Sequence, residues 1–256
     1  MEGKGQATED RQLHFGARTA APASGTMRID RQGSLGERAY AALKDALIRG
    51  EFAAGTKLTL RSLSEALGVS TTPARDAVNR MISEGALANL GPKTVVVPVL
   101  TKPALDEVTA IRLSLEGLAA ERGAPSLSEA DIDRLEILQD EINSSLDEAR
   151  YHDTLRFNKE FHFLIYGRSG MARLMSIIES QWLRIGPTMH DLYPEYAVSR
   201  KGVSNHLWAI RGAREGDPAA VRAAIENDIR DGYRRFVRCI AAAEAGKLRE
   251  LDQASG

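Results

Sequence analysis

Apolar positions recur at helical spacing along most of this chain, and the interruptions show how it is organised. Leu35, Tyr40, Leu43, Leu47 and Ile48 predict an amphipathic helix over 35–49, ended by Gly50. FAAGTKL reads as a connector and RSLSEALG as a short helix closed by Gly68. A third helix over 72–84 turns Ala77, Val78 and Met81 inward. The period then changes: GALANLGPKTVVVPV predicts short extended segments around Gly91-Pro92, a two-stranded hairpin. That order of elements is a winged helix-turn-helix. Beyond TKP strands vanish, and helices are expected at about 103–122, 128–147, 152–168, 171–186, 196–214 and 218–243. Breaks fall at Gly123-Ala124-Pro125, Gly170, Pro187, Pro194 and Gly216-Asp217-Pro218. The expected fold is therefore mainly α, an N-terminal winged helix-turn-helix followed by an antiparallel all-α helical bundle. The corresponding divisions are a disordered tail over 1–33, the winged domain over 34–100, the bundle over 101–245 and a C-terminal tail over 246–256. Within the first tail, Met27 is an alternative start.

Composition narrows the class. With 43% hydrophobic residues in 256, the chain can build one large or two modest cores. Aromatics are only 5%, which suits helices over sheets. One cysteine, Cys239, excludes an internal disulfide framework and points to a reducing cytoplasm. No apolar run approaches a membrane span, so no membrane partner is expected. The net charge of −1 hides a polarity: nine Lys/Arg face six Asp/Glu over 31–100, whereas 21 face 25 from 101 onward. A basic module on an acidic body suits a nucleic-acid partner.

The stretch LGVSTTPARDAVNRM sharpens that expectation. In a helix-turn-helix the second helix enters the major groove by its N-terminal end. Ser70, Thr71 and Thr72 stand at that end, where hydroxyls cap free N–H groups or bind phosphates, and Pro73 suits a first turn. Arg75, one turn in, can reach guanine with two hydrogen bonds, and Arg61 flanks the groove from the preceding helix. The bland alternative is a well-capped surface helix with solvated arginines.

The segment from Ser34 to Val97, carrying "RGEF..G..L..R.LSEALGVS.TPARDAV.RM..EGAL", resembles the DNA-binding domain of GntR-family bacterial transcription regulators. The resemblance implies that Arg61, Ser70, Thr71, Thr72 and Arg75 contact operator double-stranded DNA. It also implies that the wing tip, at Gly91 and Lys93, reaches the minor groove. Ala74 and Asp76 stand where many relatives have Val and Glu.

The bundle carries polar residues on apolar stripes. Asn158, Phe161, His162 and Ile165 follow helical spacing on one helix; Val203, His206, Leu207 and Ile210 do so on another. Val221, Ala224, Ile225 and Asp228 turn an aspartate inward on the last. His206 precedes the turn at Asp217 by 11 residues and Asp228 follows it by 11, so an antiparallel hairpin brings them level. A buried carboxylate needs a partner. Two imidazoles, a carboxylate and an amide oxygen can hold a divalent metal with positions left open for a ligand; a purely structural His–Asp pair is the alternative. Arg112 lies on the stripe of Leu105 and Leu115, either in a salt bridge to Glu116 or as a clamp for an effector's carboxylate. Arg184, near Trp182, is a similar candidate. Tyr166 and Trp208 read as core or interface.

Residues from about 103 to 240 resemble the FCD ligand-binding domain of the FadR-type branch, through "NKEFHFLIYGRSGMARL" and "NHLWAIRGAREGDPAAVRAAIENDI". The resemblance maps a metal set onto Asn158, His162, His206 and Asp228, with Asn in place of an aspartate and Asp in place of a histidine. It implies a small organic-acid effector and a homodimer reading a palindromic operator, and the expected divalent ion is zinc. A metal-dependent hydrolase attached to a DNA-binding module is the alternative function. A structural nucleoid-type protein would need stronger basic character.

Overall fold

The computed structural model describes residues 34–189 and 201–254. The tail over 1–33, the break at Pro194 and the start of the helix expected from 196 lie outside the described residues. Three helices open the fold: α1 (Leu35–Ile48), α2 (Leu60–Leu67) and α3 (Thr71–Ser83). Ser34 starts α1 with a capping box, its hydroxyl accepting from the Glu37 amide while the Glu37 carboxylate accepts from the Ser34 amide. Gly68 ends α2 in the left-handed conformation that only glycine adopts without strain, φ 63°. This sharp reversal sets α3 across α2.

The wing is a three-stranded sheet rather than the expected two-stranded hairpin. β1 (Lys57–Thr59), β2 (Ala88–Gly91) and β3 (Thr94–Val96) lie in the order β1-β3-β2, both pairings antiparallel. β1 falls in the segment read as a connector. With three residues and only Leu58 buried between exposed Lys57 and Thr59, it is too short to show a period.

The bundle comprises α4 (Lys102–Gly123), α5 (Glu129–Asp147), α6 (Tyr151–Gly167), α7 (Ala172–Met189), α8 (Lys201–Arg214) and α9 (Pro218–Ala254). Two breaks are corrected. α7 continues through Pro187, whose fixed φ is helical; only one backbone donor is lost there. α9 runs past 243 as far as Ala254, into the segment expected as a tail, because Ala, Glu, Lys, Leu and Arg there all favour a helix. Leu207, expected inward, is 52% exposed, and Trp208 is 41% exposed rather than core. The buried face of α8 passes instead through Asn205, His206, Ala209 and Ile210.

A continuous apolar core runs from Leu43, Leu47 and Met81 in the winged domain to Phe161, Ile178 and Trp182 in the bundle. α1 packs on both α3 and α7. At the second contact a Cβ added to Gly186 of α7 would lie 2.7 Å from the carbonyl oxygens of Leu47 and Ile48. Ion pairs from Lys44 to Glu179 and from Lys159 to Asp45 flank it.

Candidate metal centre and DNA-reading face

α6, α8 and α9 each deliver one polar side chain to a point inside the bundle. His162 Nε2 lies 3.3 Å from His206 Nε2 and 3.4 Å from Asp228 Oδ2. One ligand atom from each of the three residues falls within 4.8 Å of the others. Both histidines are buried, and the Asp228 side chain keeps 16% of its exposure. The level pairing of α8 and α9 about Asp217 therefore holds in three dimensions. Asn158, one turn before His162, is also buried, and its side chain hydrogen-bonds to no other described residue.

The other nitrogen of each ring is engaged from behind. His206 Nδ1 is 2.7 Å from Gln139 Oε1 on α5. His162 Nδ1 is 2.9 Å from the Tyr166 hydroxyl, which donates to Glu116 Oε2 at 2.8 Å. Glu116 in turn accepts from Arg112 Nε at 2.6 Å and Nη2 at 3.3 Å. Arg112 thus makes the salt bridge to Glu116, both partners buried, with its guanidinium 5.1 Å from the Trp182 ring centre. Its Nη1 makes no hydrogen bond to another described residue.

Burial and neighbouring charges set the protonation of the groups at the meeting point. Burial holds the His206 ring down to about 3, so it is neutral near pH 7 with a lone pair to offer. Burial pushes the Asp228 carboxyl up, but the histidine beside it, His206 and the Arg112 charge outweigh this and hold it below the usual range. Burial, followed by the neighbouring Glu116, raises Tyr166 well above a normal phenol, so its hydroxyl keeps its proton. Two ring nitrogens and a carboxylate oxygen thus converge within 4.8 Å of one another. Two imidazole nitrogens and a carboxylate oxygen are a donor set that fits zinc or a similar divalent ion.

Arg184 is not brought to this cluster. It lines a small cleft between α7 and the segment linking the two domains, with Pro98, Val99, Thr101 and Pro187. Tyr166 was readable as a core residue but takes part in the site, four residues from His162 and on the same helical face. Gln139 was missed, although its place on the stripe of Leu135 and Ile142 is the same signal that singled out Asn158.

On the winged domain, Arg61, Ser70, Thr71, Thr72, Arg75, Gly91 and Lys93 are all exposed. Ser70 occupies the N-cap of α3, but its hydroxyl makes no capping bond and is left for another acceptor or donor. Arg61, 87% exposed on its side chain, pairs with Glu65 one turn on. Arg80 faces elsewhere: its guanidinium sits 3.6 Å from the Tyr40 ring centre and bonds Glu84, clamping α3 to α1.

Two family models match the chain, bacterial regulatory proteins of the gntR family over 35–96 and the FCD domain over 107–231. The HTH-type transcriptional regulator McbR of Escherichia coli (strain K12) is 33% identical over 182 residues, covering 70% of this chain and 82% of that protein. The solved structure of E. coli McbR/YncC superposes with a TM-score of 0.75 at 28% identity, over 81% of this chain and 99% of that one. A putative GntR regulator from Rhodococcus sp. RHA1, at 18% identity and TM-score 0.66 over 80% of this chain and 98% of that one, shares the fold.

Proposed function

The chain belongs to the gntR family of bacterial regulatory proteins and carries an FCD domain, and on that premise we propose an operator-binding repressor that senses a small carboxylate metabolite through a divalent metal. It is a transcriptional regulator rather than an enzyme, as its relatives are. The observation that carries the sensing half is the convergence of His162, His206 and Asp228. A divalent cation held there would offer a Lewis-acidic point charge to an effector carboxylate. Among the described residues the Nη1 of Arg112 has no acceptor, which supports a second anchor for that carboxylate, while Nε and Nη2 keep Glu116 in place. Asn158, buried one turn before His162, supports a contact to the cation or to the effector. The position of Arg184 in the interdomain cleft supports a role in seating the linker rather than in the pocket.

The winged domain, 34–100, reads DNA. Ser70, Thr71 and Thr72 contact phosphate at the N-terminus of α3, Arg75 reads base edges, Arg61 flanks the groove, and Gly91 with Lys93 enter the minor groove. Two copies of the chain, joined through the bundle over 101–245, read a twofold-symmetric operator in the cytoplasm. α7 supports the coupling: Trp182 stands 5.5 Å from the His162 ring, and Gly186 one turn on is seated against α1.

A paired measurement tests the reading. Melting temperature and operator affinity are followed across a panel of small carboxylates, with zinc and with chelator. An acid that raises the melting temperature and releases operator DNA only when zinc is present is the expected result. Stabilisation that survives chelation would move the site off the metal. Silence across the panel in both conditions would overturn carboxylate sensing.

A further inference from the structure

The backs of the two imidazoles are held by different chemistry from different helices, yet both arrangements have the same consequence. Gln139 presents an amide that could offer either an oxygen or an NH2 group. Its Nε2 donates to Asn143 Oδ1 at 3.1 Å, which turns Oε1 toward His206 at 2.7 Å. An oxygen there can only accept, so His206 Nδ1 carries hydrogen and Nε2 is left as the lone pair. Tyr166 presents a hydroxyl, which can donate or accept. Its hydrogen goes to Glu116 Oε2, because that carboxylate, paired with Arg112, has only lone pairs to offer. The phenol oxygen then accepts from His162 Nδ1, and Nε2 of that ring also faces inward.

We propose that Gln139 and the Tyr166–Glu116–Arg112 chain are positioning residues that fix both histidines with hydrogen on Nδ1, presetting two Nε2 lone pairs for a cation. Resting on the metal reading above, this assigns roles to four residues that do not touch the ion. The two relays are independent: one hangs on α5, the other on α4 and α6. An imidazole free to flip its tautomer would spend part of its time with an N–H pointed at the cation position, and its affinity would fall accordingly. The chain also ties the site to α4, the helix that follows directly from the winged domain through Leu100 and Thr101.

The test uses the full chain with zinc as probe. Long-range proton–nitrogen NMR spectra of the histidine rings report which nitrogen carries hydrogen, and competition with a chromophoric chelator reports affinity. The expected spectrum has hydrogen on Nδ1 of both His162 and His206, with and without zinc. Tyr166→Phe and Gln139→Leu each weaken zinc by about 10–100-fold, the range typical of lost outer-shell partners. Gln139→Glu, which keeps an acceptor oxygen, restores it. Hydrogen absent from Nδ1 of either ring in the wild type would overturn the proposal. So would zinc affinity unchanged in both Tyr166→Phe and Gln139→Leu, each checked for a wild-type circular dichroism spectrum and operator affinity. If the wild type binds no divalent ion but both rings carry hydrogen on Nδ1, the positioning stands and the metal reading fails.

Discussion

Gly186 is pressed against Ile48: a Cβ at the glycine would stand 2.7 Å from the Ile48 carbonyl oxygen and 2.9 Å from its Cα. Backbone atoms cannot rotate away as a side-chain tip can. Gly186→Ala must therefore push α7 and α1 apart, with an expected destabilisation of about 1–3 kcal/mol, typical of overpacking. Urea denaturation measures it. Because the same contact joins the two domains, the variant should also show a weakened effect of effector on operator affinity. A variant with wild-type stability and response would mean that this seat yields freely.

Asp228 brings the carboxylate charge to the three-residue cluster. Asp228→Ala is expected to weaken zinc by more than the roughly 10–100-fold cost of losing an outer-shell partner, while leaving operator affinity in the absence of effector intact. Asn158→Asp would add a second carboxylate on the turn before His162 and should tighten zinc. Equilibrium competition with a chelator reads both. Retained zinc affinity in Asp228→Ala would remove that residue from the site.

The proposed DNA contacts give two arginines different roles. Arg75→Ala should cost about 1–3 kcal/mol of operator affinity and relax preference at one base position. Arg61 is held by Glu65 in the free protein, so its loss should weaken binding evenly across sequences and flatten the salt dependence. Anisotropy titrations on operator and scrambled duplexes, at several salt concentrations, separate the two patterns.

Asp131 joins the start of α5 to Arg168 at the end of α6. The Arg168 guanidinium, followed by the Ser128 amide and hydroxyl, holds its carboxyl down to about 2 from an ordinary 3.8. A depressed acid stabilises the fold above its unfolded pKa, and that stability is lost as pH falls from 3.8 toward about 2. Asp131→Asn should therefore be less stable than wild type at pH 7, with the gap closing across that window. Thermal melts at stepped pH provide the check; a gap that stays constant through the window would exclude this linkage.

Much of this molecule can be read from its sequence because helices announce themselves. Ser34 with Glu37, Gly68 and the stripe through Phe161 and Ile165 each encode a boundary or a buried face within a few residues. What escaped reading depends on partners far along the chain. β1 exists because Leu58 pairs with Val95, a partner 37 residues away that its own three residues cannot signal. Leu207 sits just past the edge of the buried face, where an apolar side chain alone cannot show which way α8 is rotated. The cluster of His162, His206 and Asp228 was legible from inward polar positions on three helices. Its support was only half legible: Arg112 and Glu116 are four apart, as are His162 and Tyr166, but Gln139 meets His206 across 67 positions.

α1 is shared by two partners, α3 of the winged domain and α7 of the bundle. Under the proposed function, operator preference is set by exposed side chains of α3 such as Thr72 and Arg75. Under the same proposal, effector preference is set inside the bundle, at the His162, His206 and Asp228 cluster. A change in either preference leaves the shared strut intact, so the two specificities can drift or be exchanged separately. A hybrid that joins this bundle to another winged domain should keep its inducer, provided that α1 keeps the carbonyl surface at Leu47 and Ile48 that receives Gly186.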